Sequence, residues 1–270
     1  MKTGLDFMAA VVEKKRARLR DAQANVSFYN LRASAYEVRS SASRHALRKA
    51  LSNDTRINVI AEIKRASPSK GDLGLHATVE ETARAYSRGG AVAVSVLTEE
   101  NYFRGSLADL RSVRRAVSLP VLRKDFIVDD YQVYEAAAAG ADALLLIVAL
   151  LDDETLLRLR VVAETELGMD ALVEVHTSEE MARASSSGAS LIGVNNRNLH
   201  TFEVSTDISL KLRQEAPAKA LLISESGLRT GYELKQLREA GYNGFLIGEA
   251  LVVSENPESS LRALIEEAEK

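Results

Sequence analysis

From residue 57 onward, short apolar runs alternate with segments that carry helix signals. The runs are rich in Val, Ile and Leu and are too short for a core helix, so we interpret them as buried strands. Continuous apolar strands separated by helices are typical of a parallel sheet that is covered on both faces. The predicted strands lie at residues 57–63, 91–97, 121–122, 143–148, 171–175, 191–194, 221–224 and 245–247.

A short repeat supports this count of eight strand–helix units. Four similar segments place a small residue and a glycine directly before an apolar run, as expected where a helix ends in a left-handed glycine and a strand follows. The glycines lie about 50 residues apart, one for every two units, at Gly90, Gly140, Gly188 and Gly241. Eight parallel units favour an α/β fold of the closed (βα)8, or TIM, barrel type over an open doubly wound sheet.

Two of the intervening segments begin with the sequence pattern of a capping box. Thr177 is followed three residues later by Glu180, and Thr230 by Glu233. In such a box the hydroxyl and the carboxylate each satisfy a backbone amide of the first helical turn. We therefore predict helix starts at both threonines.

Residues 1–50 differ from the rest of the chain in charge. They carry 11 Lys and Arg against 4 Asp and Glu, a balance of +7, whereas residues 51–270 have a balance of −10. Leu5, Met8, Ala9 and Val12 recur at helical spacing, which predicts one or two amphipathic helices packed on the barrel. We divide the chain into an N-terminal helical extension, residues 1–50, that caps the barrel, and a catalytic barrel domain, residues 51–270. The extension could also act as a basic flap near an anion site.

Composition makes several classes of protein improbable. The chain has no Cys, so a disulfide scaffold, a thiolate metal site and a cysteine nucleophile are excluded. No two of the four histidines have metal-ligand spacing, so we expect no metal: His45, His76, His176 and His200. No apolar run approaches the roughly 20 residues that span a bilayer, and no secretory signal is evident. The basic N-terminal segment has no dense block of Lys and Arg of the kind that binds nucleic acid. We expect neither membrane nor nucleic-acid partners and a cytoplasmic location.

Charged side chains occur where a barrel should be apolar, at the ends of the predicted strands. In TIM barrels the functional residues lie at the C-terminal strand ends and in the following loops. Strand periodicity places Glu62 and Lys64 on one face of the first strand. Lys124, Glu174 and Glu225 end the third, fifth and seventh runs, so two lysines and three glutamates should converge. A salt-bridge layer is the alternative, but burying charge costs several kcal/mol per ion. We favour acid and base groups with shifted pKa values.

The last two strand ends predict an anion site. Ser226 and Gly227 follow the seventh run, and Gly248 and Glu249 follow the eighth. Many TIM barrels bind phosphate there, often with the N-terminus of a short helix. Glu249 should contribute only its backbone amide, because its carboxylate would repel phosphate. The basic loop at residues 64–71 suits either an anion-binding lid or a plain surface loop.

Five segments of the chain, in order, resemble motifs of the indole-3-glycerol-phosphate synthase family of tryptophan biosynthesis. The resemblance covers nearly the whole chain, and the first and third segments are the most specific. The segments are residues 59–71 (VIAEIKRASPSKG), 96–106 (VLTEENYFRGS), 120–126 (PVLRKDF), 192–199 (IGVNNRNL) and 224–227 (SESG). The basic N-terminal arm resembles the extra helices that cap the catalytic end of the barrel in this family.

The resemblance implies ring closure, decarboxylation and dehydration of 1-(2-carboxyphenylamino)-1-deoxyribulose 5-phosphate. No cofactor is then expected, because an iminium formed in the substrate serves as electron sink. By similarity Lys124 is the general acid of ring closure and Glu174 the general base, with Glu62, Lys64 and Asn195 as further catalytic residues. Which lysine and glutamate serve dehydration stays open. The implied substrate contacts are Ser67, Phe103, Phe126, Leu145, Arg197 and Glu225. The implied phosphate contacts are Lys64, Ser226, Gly227, Gly248 and the amide of Glu249.

Three other functions stay open on the sequence. A phosphosugar isomerase would share the fold but leaves the paired lysines and residues 120–126 unexplained. A lyase that forms a Schiff base on Lys124 would be trapped by borohydride with a ketose phosphate. An inactive barrel could bind anions as a regulatory subunit, although every expected acid and base position is filled. The sequence is compatible with a monomer but does not determine the oligomeric state; the expected ligand is a small anionic molecule.

Overall fold

A computed structural model describes residues 4–68, 70–74, 77–198 and 203–270, with side chains from residue 8 onward. Several residues named in the motifs and in the histidine count lie outside this part of the chain: Ser69, His76, Leu199 and His200. The side chain of Leu5, part of the predicted helical stripe, also lies outside it.

The predicted apolar runs all contain strands, and they account for eight of the ten strands described. The described strands are β1 (Val59–Ile63), β2 (Ala66–Ser67), β3 (Gly71–Asp72), β4 (Ala93–Leu97), β5 (Val121–Lys124), β6 (Ala143–Ile147), β7 (Asp170–Val175), β8 (Leu191–Asn195), β9 (Leu221–Glu225) and β10 (Gly244–Ile247). Eight of them close into a parallel barrel in the order β1-β10-β9-β8-β7-β6-β5-β4, while β2 and β3 form a small antiparallel hairpin. The predicted (βα)8 barrel is therefore confirmed.

Helices cover the barrel and precede it. They are α1 (Gly4–Asn25), α2 (Phe28–Ser40), α3 (Ala46–Leu51), α4 (Val79–Arg88), α5 (Leu107–Ala116), α6 (Asp130–Ala138), α7 (Asp153–Val161), α8 (Ser178–Ser186), α9 (Asp207–Arg213), α10 (Gly231–Glu239), α11 (Glu249–Val252) and α12 (Pro257–Ala268). A π-helical turn, Val162–Glu166, follows α7. No helix within the described ranges is long and apolar enough to cross a membrane.

The helix ends confirm most of the predicted signals. All four repeat glycines have a positive φ, between 78° and 100°. Thr230 and Glu233 form the predicted capping box before α10. The second predicted box is wrong in one half. The hydroxyl of Thr177 accepts the amide of Glu180, but the Glu180 carboxylate accepts the amide of His176, at 2.7 Å, instead of that of Thr177.

The helices before the barrel are divided between its two ends. In α1, Met8 lines a cavity at the C-terminal ends of the strands. In α3, Leu47 and Leu51 pack into the interior cluster of the barrel from its N-terminal end, where Leu51 approaches Gly244 at the start of β10. The extension thus closes the end opposite the cavity as well as contributing to the cavity wall.

The buried face of α1 differs from the predicted stripe. Met8, Val11, Lys15 and Leu19 are buried, whereas Ala9 is exposed. The apolar pattern missed this face because it includes a lysine. Lys15 is 2% exposed and its Nζ lies 2.7 Å from Asp125 and 2.8 Å from Glu100 of the barrel.

The basic excess of the first 50 residues is partly neutralised by the barrel. Arg18 pairs with Glu100 and Glu135, and Arg39 pairs with Asp142. These cations serve as counter-ions of buried or half-buried carboxylates. These paired cations attract an anionic ligand less than free ones would. The electrostatic effect of the first 50 residues on a ligand is therefore smaller than the formal balance of +7 suggests.

Candidate active site

A cavity of about 480 Å³ opens at the C-terminal ends of the barrel strands. Its walls carry charged side chains from the strand ends and apolar side chains from the loops. Every residue to which the motifs assigned a role lines it: Glu62, Lys64, Ser67, Phe103, Lys124, Phe126, Leu145, Glu174, Asn195, Arg197, Glu225, Ser226, Gly227, Gly248 and Glu249. The structure thus brings the predicted site residues together.

Lys124 lies between two glutamates on the floor of the cavity. Its Nζ is 2.8 Å from Oε2 of Glu174 and 2.9 Å from Oε2 of Glu225. All three side chains are largely buried, with 12%, 4% and 1% exposed. The contact with Glu174 is a hydrogen bond, whereas the Glu225 oxygens are buried without any hydrogen bond among the described atoms. The distance to Glu225 is therefore that of an ion pair with poor hydrogen-bond geometry.

Burial and mutual attraction act in opposite directions on this cluster. Burial lowers the pKa of Lys124, but Glu174, Glu225 and Glu62 outweigh it, so the pKa is raised. Burial raises the pKa of Glu174, but Lys124 and His176 lower it to about 2. The resting pair is thus ammonium and carboxylate. Both pKa values are shifted, but away from neutral pH, because each group stabilises the charged form of the other.

Glu225 is the carboxyl group of the cluster whose pKa is shifted toward neutral pH. Burial is the largest cause, and the negative charges of Glu174 and Glu62 add to it against the attraction of Lys124. Together they raise the pKa of Glu225 to about 7. One ammonium group cannot neutralise several buried carboxylates, so the least well hydrogen-bonded of them holds a proton most readily.

Glu62 and Lys64 form a second acid–base pair beside the first. Lys64 Nζ lies 2.8 Å from Oε1 of Glu62, and the two side chains are 16% and 6% exposed. As the strand periodicity predicted, both face the cavity from the end of β1. Glu62 also contributes to the raised pKa of Lys124, which shows that the two pairs share one electrostatic field.

Two glycines make room for the glutamates. A Cβ on Gly193 in β8 would lie 2.0 Å from Oε1 of Glu225, and a Cβ on Gly248 would lie 2.4 Å from Oε1 of Glu62. Neither glycine has the positive φ that usually explains such a residue. Their function is steric: any larger side chain would displace a carboxylate from the barrel interior.

The remaining cavity wall is apolar and aromatic on one side. The rings of Phe103 and Phe126 lie 6.4 Å apart, centroid to centroid, at 39°. Leu145 of β6 is buried beside them on the cavity wall. Ser67 places a buried Oγ there that has no hydrogen-bond partner in the described part of the protein. Asn195, which ends β8, lines the cavity and is one of the groups that lower the pKa of Glu174.

The loop after β9 has an unusual backbone. Ser226 has φ of 68° and Gly227 has φ of 81°. A serine in this region is strained and persists only where its surroundings hold it. Asn196 does so: its side chain is fully buried and donates to the carbonyl of Ser226, at 3.1 Å, and to Oγ of Ser224, at 3.0 Å. The structure therefore stabilises the loop conformation at the predicted phosphate corner.

Glu249 lies opposite this loop at the start of the short helix α11. Its carboxylate pairs with Lys70 at 2.6 Å and with Arg229 at 3.3 Å. The predicted repulsion between this carboxylate and a phosphate is therefore reduced by two cations. Burial raises the pKa of Glu249, but Lys70, Lys64 and Arg229 lower it by more. The net pKa is therefore below its usual value, and the carboxylate is ionised.

Sequence reasoning missed several residues of the site. Arg229 lines the cavity four residues after β9, and Met8 reaches it from α1. Ser226 and Gly227, which the sequence assigned to the phosphate, come just before Leu228 and Arg229, so the predicted loop could have been extended to Arg229. Asn196 and Gly193 lie inside a motif, but their contacts depend on neighbouring strands. The helical spacing named Met8 as a packing residue, but nothing in the local sequence placed it at the cavity.

The fold and this cavity define a class: a TIM-barrel enzyme whose paired lysine and glutamate side chains suit acid–base chemistry. Among the described residues, no cluster of His, Asp and Glu is arranged to hold a metal ion.

Comparisons with known proteins identify the family. A family model described as indole-3-glycerol phosphate synthase matches residues 8–264. The chain is 47% identical over 263 residues to the indole-3-glycerol phosphate synthase of Carboxydothermus hydrogenoformans. This alignment covers 96% of this chain and 99% of that protein. It is 54% identical over 209 residues to the same enzyme of Mycolicibacterium gilvum, covering 77% and 76%. The chain belongs to the indole-3-glycerol phosphate synthase family, and it is a carboxy-lyase of tryptophan biosynthesis.

Two solved structures of low sequence identity show the same fold. Thiamine phosphate pyrophosphorylase from Pyrococcus furiosus superposes with a TM-score of 0.59 at 18% identity, over 80% of this chain and 96% of that chain. A mandelate oxidase mutant superposes with a TM-score of 0.60 at 15% identity, over 83% and 84%. At these identities the likeness concerns the barrel alone.

Proposed function

We propose that the cavity converts 1-(2-carboxyphenylamino)-1-deoxyribulose 5-phosphate into indole-3-glycerol phosphate, with Lys124 as general acid and Glu174 as general base. The observation that carries this assignment is the buried Lys124 ammonium held between Glu174 and Glu225 on the cavity floor. A buried, protonated lysine is a proton donor at the place where a reacting oxygen would lie. The catalytic unit is the barrel, residues 51–270, with residues 1–50 as an extension that closes it.

Ring closure is the step that uses this donor. The aryl carbon that bears the carboxylate bonds to the ketone carbon, and the ketone oxygen takes a proton from Lys124 Nζ. The ammonium must turn from Glu174 toward this oxygen, so its ion pair is exchanged for a contact that strengthens as charge develops. The product of the step is a non-aromatic ring with an iminium nitrogen.

Decarboxylation follows without an external electron sink. The bond between the ring carbon and the carboxylate breaks, its electron pair restores the aromatic ring, and CO₂ leaves. The iminium in the substrate accepts the charge that a cofactor supplies in other decarboxylases. What the protein contributes here is a wall of low polarity around the aryl group, from Phe103, Phe126 and Leu145.

Dehydration completes the indole. A base removes the proton from the ring methylene carbon, and an acid protonates the departing hydroxyl, which leaves as water. Glu174 is the proposed base. Lys64 and Lys124 both line the cavity, and which of them is the acid of this step stays open. The proton that Lys124 gave in ring closure is replaced from solvent, since the overall reaction consumes one proton.

The remaining contacts orient the substrate. We assign the phosphate to Lys64, Ser226, Gly227, Gly248 and the amide of Glu249, supported by the strained loop after β9 and the short helix α11. Ser67, Arg197 and Glu225 are assigned to the carboxylate and the sugar hydroxyls, and Asn195 to the orientation of Glu174. The ligand is a small anion, and we propose a monomeric protein in the cytoplasm.

The test is direct. The purified protein is supplied with the arylamino ribulose phosphate, and indole absorbance and released CO₂ are followed. Equal amounts of both products are expected. Folded protein that forms neither product would contradict the proposal. Covalent trapping by borohydride with a ketose phosphate would instead support a Schiff base on Lys124.

A further inference from the structure

We propose that His176 is a positioning residue that holds the Glu174 carboxylate in place while Lys124 is engaged with the substrate. The inference rests on the proposed function of Glu174 as general base. His176 follows β7 directly and precedes α8, so its backbone is fixed by both elements. None of the motifs in the sequence assigned it a role.

The geometry places a nitrogen of a basic side chain near each oxygen of Glu174. Oε2 lies 2.8 Å from Lys124 Nζ, and Oε1 lies 3.4 Å from Nε2 of His176. The His176 side chain is only 7% exposed. On its other side, Nδ1 lies 3.2 Å from Oε2 of Glu180, which also accepts the His176 amide at 2.7 Å. The imidazole is thus placed between two carboxylates.

Two carboxylates on opposite sides favour the doubly protonated ring. Nε2 is buried and makes no hydrogen bond within the described structure, so Glu174 is the acceptor that lies nearest to its proton. Burial lowers the pKa of His176, but Glu180, Glu174 and Glu225 raise it more, so the net direction is upward. From α8 and α9, Glu179 and Lys211 line a small cavity beside the ring.

This arrangement explains why the capping box at Thr177 is incomplete. The Glu180 carboxylate, which would otherwise accept the Thr177 amide, is used to hold His176 by its amide and its ring. The helix start is therefore built around the histidine.

A second counter-ion matters because the first one leaves. When Lys124 turns to the ketone oxygen, Glu174 loses its nearest positive charge while it remains buried. A buried carboxylate without a counter-ion takes up a proton or moves. His176 keeps the carboxylate ionised and aimed for the later removal of the ring proton.

The experiment compares His176→Asn with His45→Asn. His45 is a matched control because it also contacts a buried carboxylate, Asp170, at 3.2 Å, but at the opposite end of the barrel. For His176→Asn we expect kcat to fall about tenfold with KM changed less than about threefold, because a misaligned base slows chemistry more than binding. The acid limb of kcat should move to higher pH, because Glu174 has lost a cation. His45→Asn should leave both unchanged.

Glu180→Gln provides a second variant that keeps the histidine. It should move the acid limb in the same direction, since the ring loses the carboxylate that favours its charged form. Nitrogen-15 NMR of the His176 ring should show both nitrogens protonated at pH 7 in the wild-type protein. A neutral ring, or unchanged kcat and pH profile in both variants, would overturn the inference. If Glu174→Gln itself retained full activity, the proposed function of Glu174 would fail instead.

Discussion

The two ends of the barrel both bury charge, but they satisfy it differently. At the N-terminal end, the guanidinium of Arg39 donates five hydrogen bonds, four of them to carbonyl oxygens and one to Asp142. At the C-terminal end, Lys124 is shared by two carboxylates, and the oxygens of Glu225 make no hydrogen bond in the described structure. Arg39, whose donors are all used within the protein, stabilises the fold. The Lys124 and Glu225 side chains keep hydrogen-bonding capacity that a ligand can use.

Packing shows the same contrast. The helix α3 fills the N-terminal end with Leu47 and Leu51, which join the interior cluster of the barrel. The C-terminal end contains a cavity of about 480 Å³ instead. The open end is the one at which charged side chains line the cavity. The comparison therefore predicts which substitutions should affect stability and which should affect turnover.

The largest effect on stability is expected for Arg39→Ala. Removing a buried guanidinium leaves several carbonyls and part of Asp142 unsatisfied, which should cost about 3 kcal/mol, or roughly 6–10 °C in Tm for a chain of this size. Thermal and urea unfolding measure this loss. Turnover per folded molecule should not change. Arg32→Ala is the matched control, since this arginine is exposed over aromatic rings; an equal loss there would contradict the distinction.

The next effect is on turnover at the open end. Lys124→Ala and Glu174→Gln should each reduce kcat by roughly 10²-fold or more, the scale of general acid–base catalysis, which is about 2.7 kcal/mol of activation free energy. Steady-state formation of the indole measures it. Lys219→Ala, at an exposed lysine before β9, is the control and should keep the wild-type rate. Wild-type rates in the Lys124 variant would remove that residue from its role.

A smaller effect is expected for Gly193→Ala. The added Cβ would displace Oε1 of Glu225, which is the end of a flexible side chain, so the protein should fold with little loss of stability. Turnover should fall about tenfold, because the carboxylate leaves its position beside Lys124. Kinetics and a thermal melt on one preparation separate the two quantities. A variant that unfolds more easily but reacts at the normal rate would show that this glycine serves packing.

The last prediction concerns a pH dependence of stability that Glu225→Gln should remove. The pKa of Glu225 is raised from 4.5 to about 7 in the folded protein, so between these values the folded state binds the proton more tightly than the unfolded state does. Stability from this group is therefore present at low pH and is lost as pH rises toward 7. Compared with Glu225→Gln, the wild-type protein should lose Tm between pH 5 and pH 8. Parallel Tm curves would show that Glu225 is already ionised at pH 5.

Much of the fold and of the site could be predicted from the sequence, because the patterns that indicate them span only a few residues. Each strand is a continuous apolar run, and the lysine and glutamate at its end are neighbours of that run in sequence, so strand order alone placed Lys124 and Glu174 at one end. The incomplete cap at Thr177 could not be predicted, since a carboxylate has several amides within reach. The pKa of Glu174 could not be predicted either, because it depends on the distance to a lysine 50 residues away.

The sequence by itself determined the eight-unit barrel, the end that carries the site and the chemical groups within it, because hydrophobic periodicity and strand-end residues act over a few positions. Only the tertiary structure decided how those groups share charge. It placed one lysine between two glutamates, left the Glu225 carboxylate without a hydrogen bond among the described residues, made room for that carboxylate at Gly193, and placed His176 beside Glu174. These arrangements depend on burial and on distances of about 3 Å between side-chain atoms of different strands. Both strengthen or weaken the electrostatic interactions between charged groups, and no local sequence pattern encodes them.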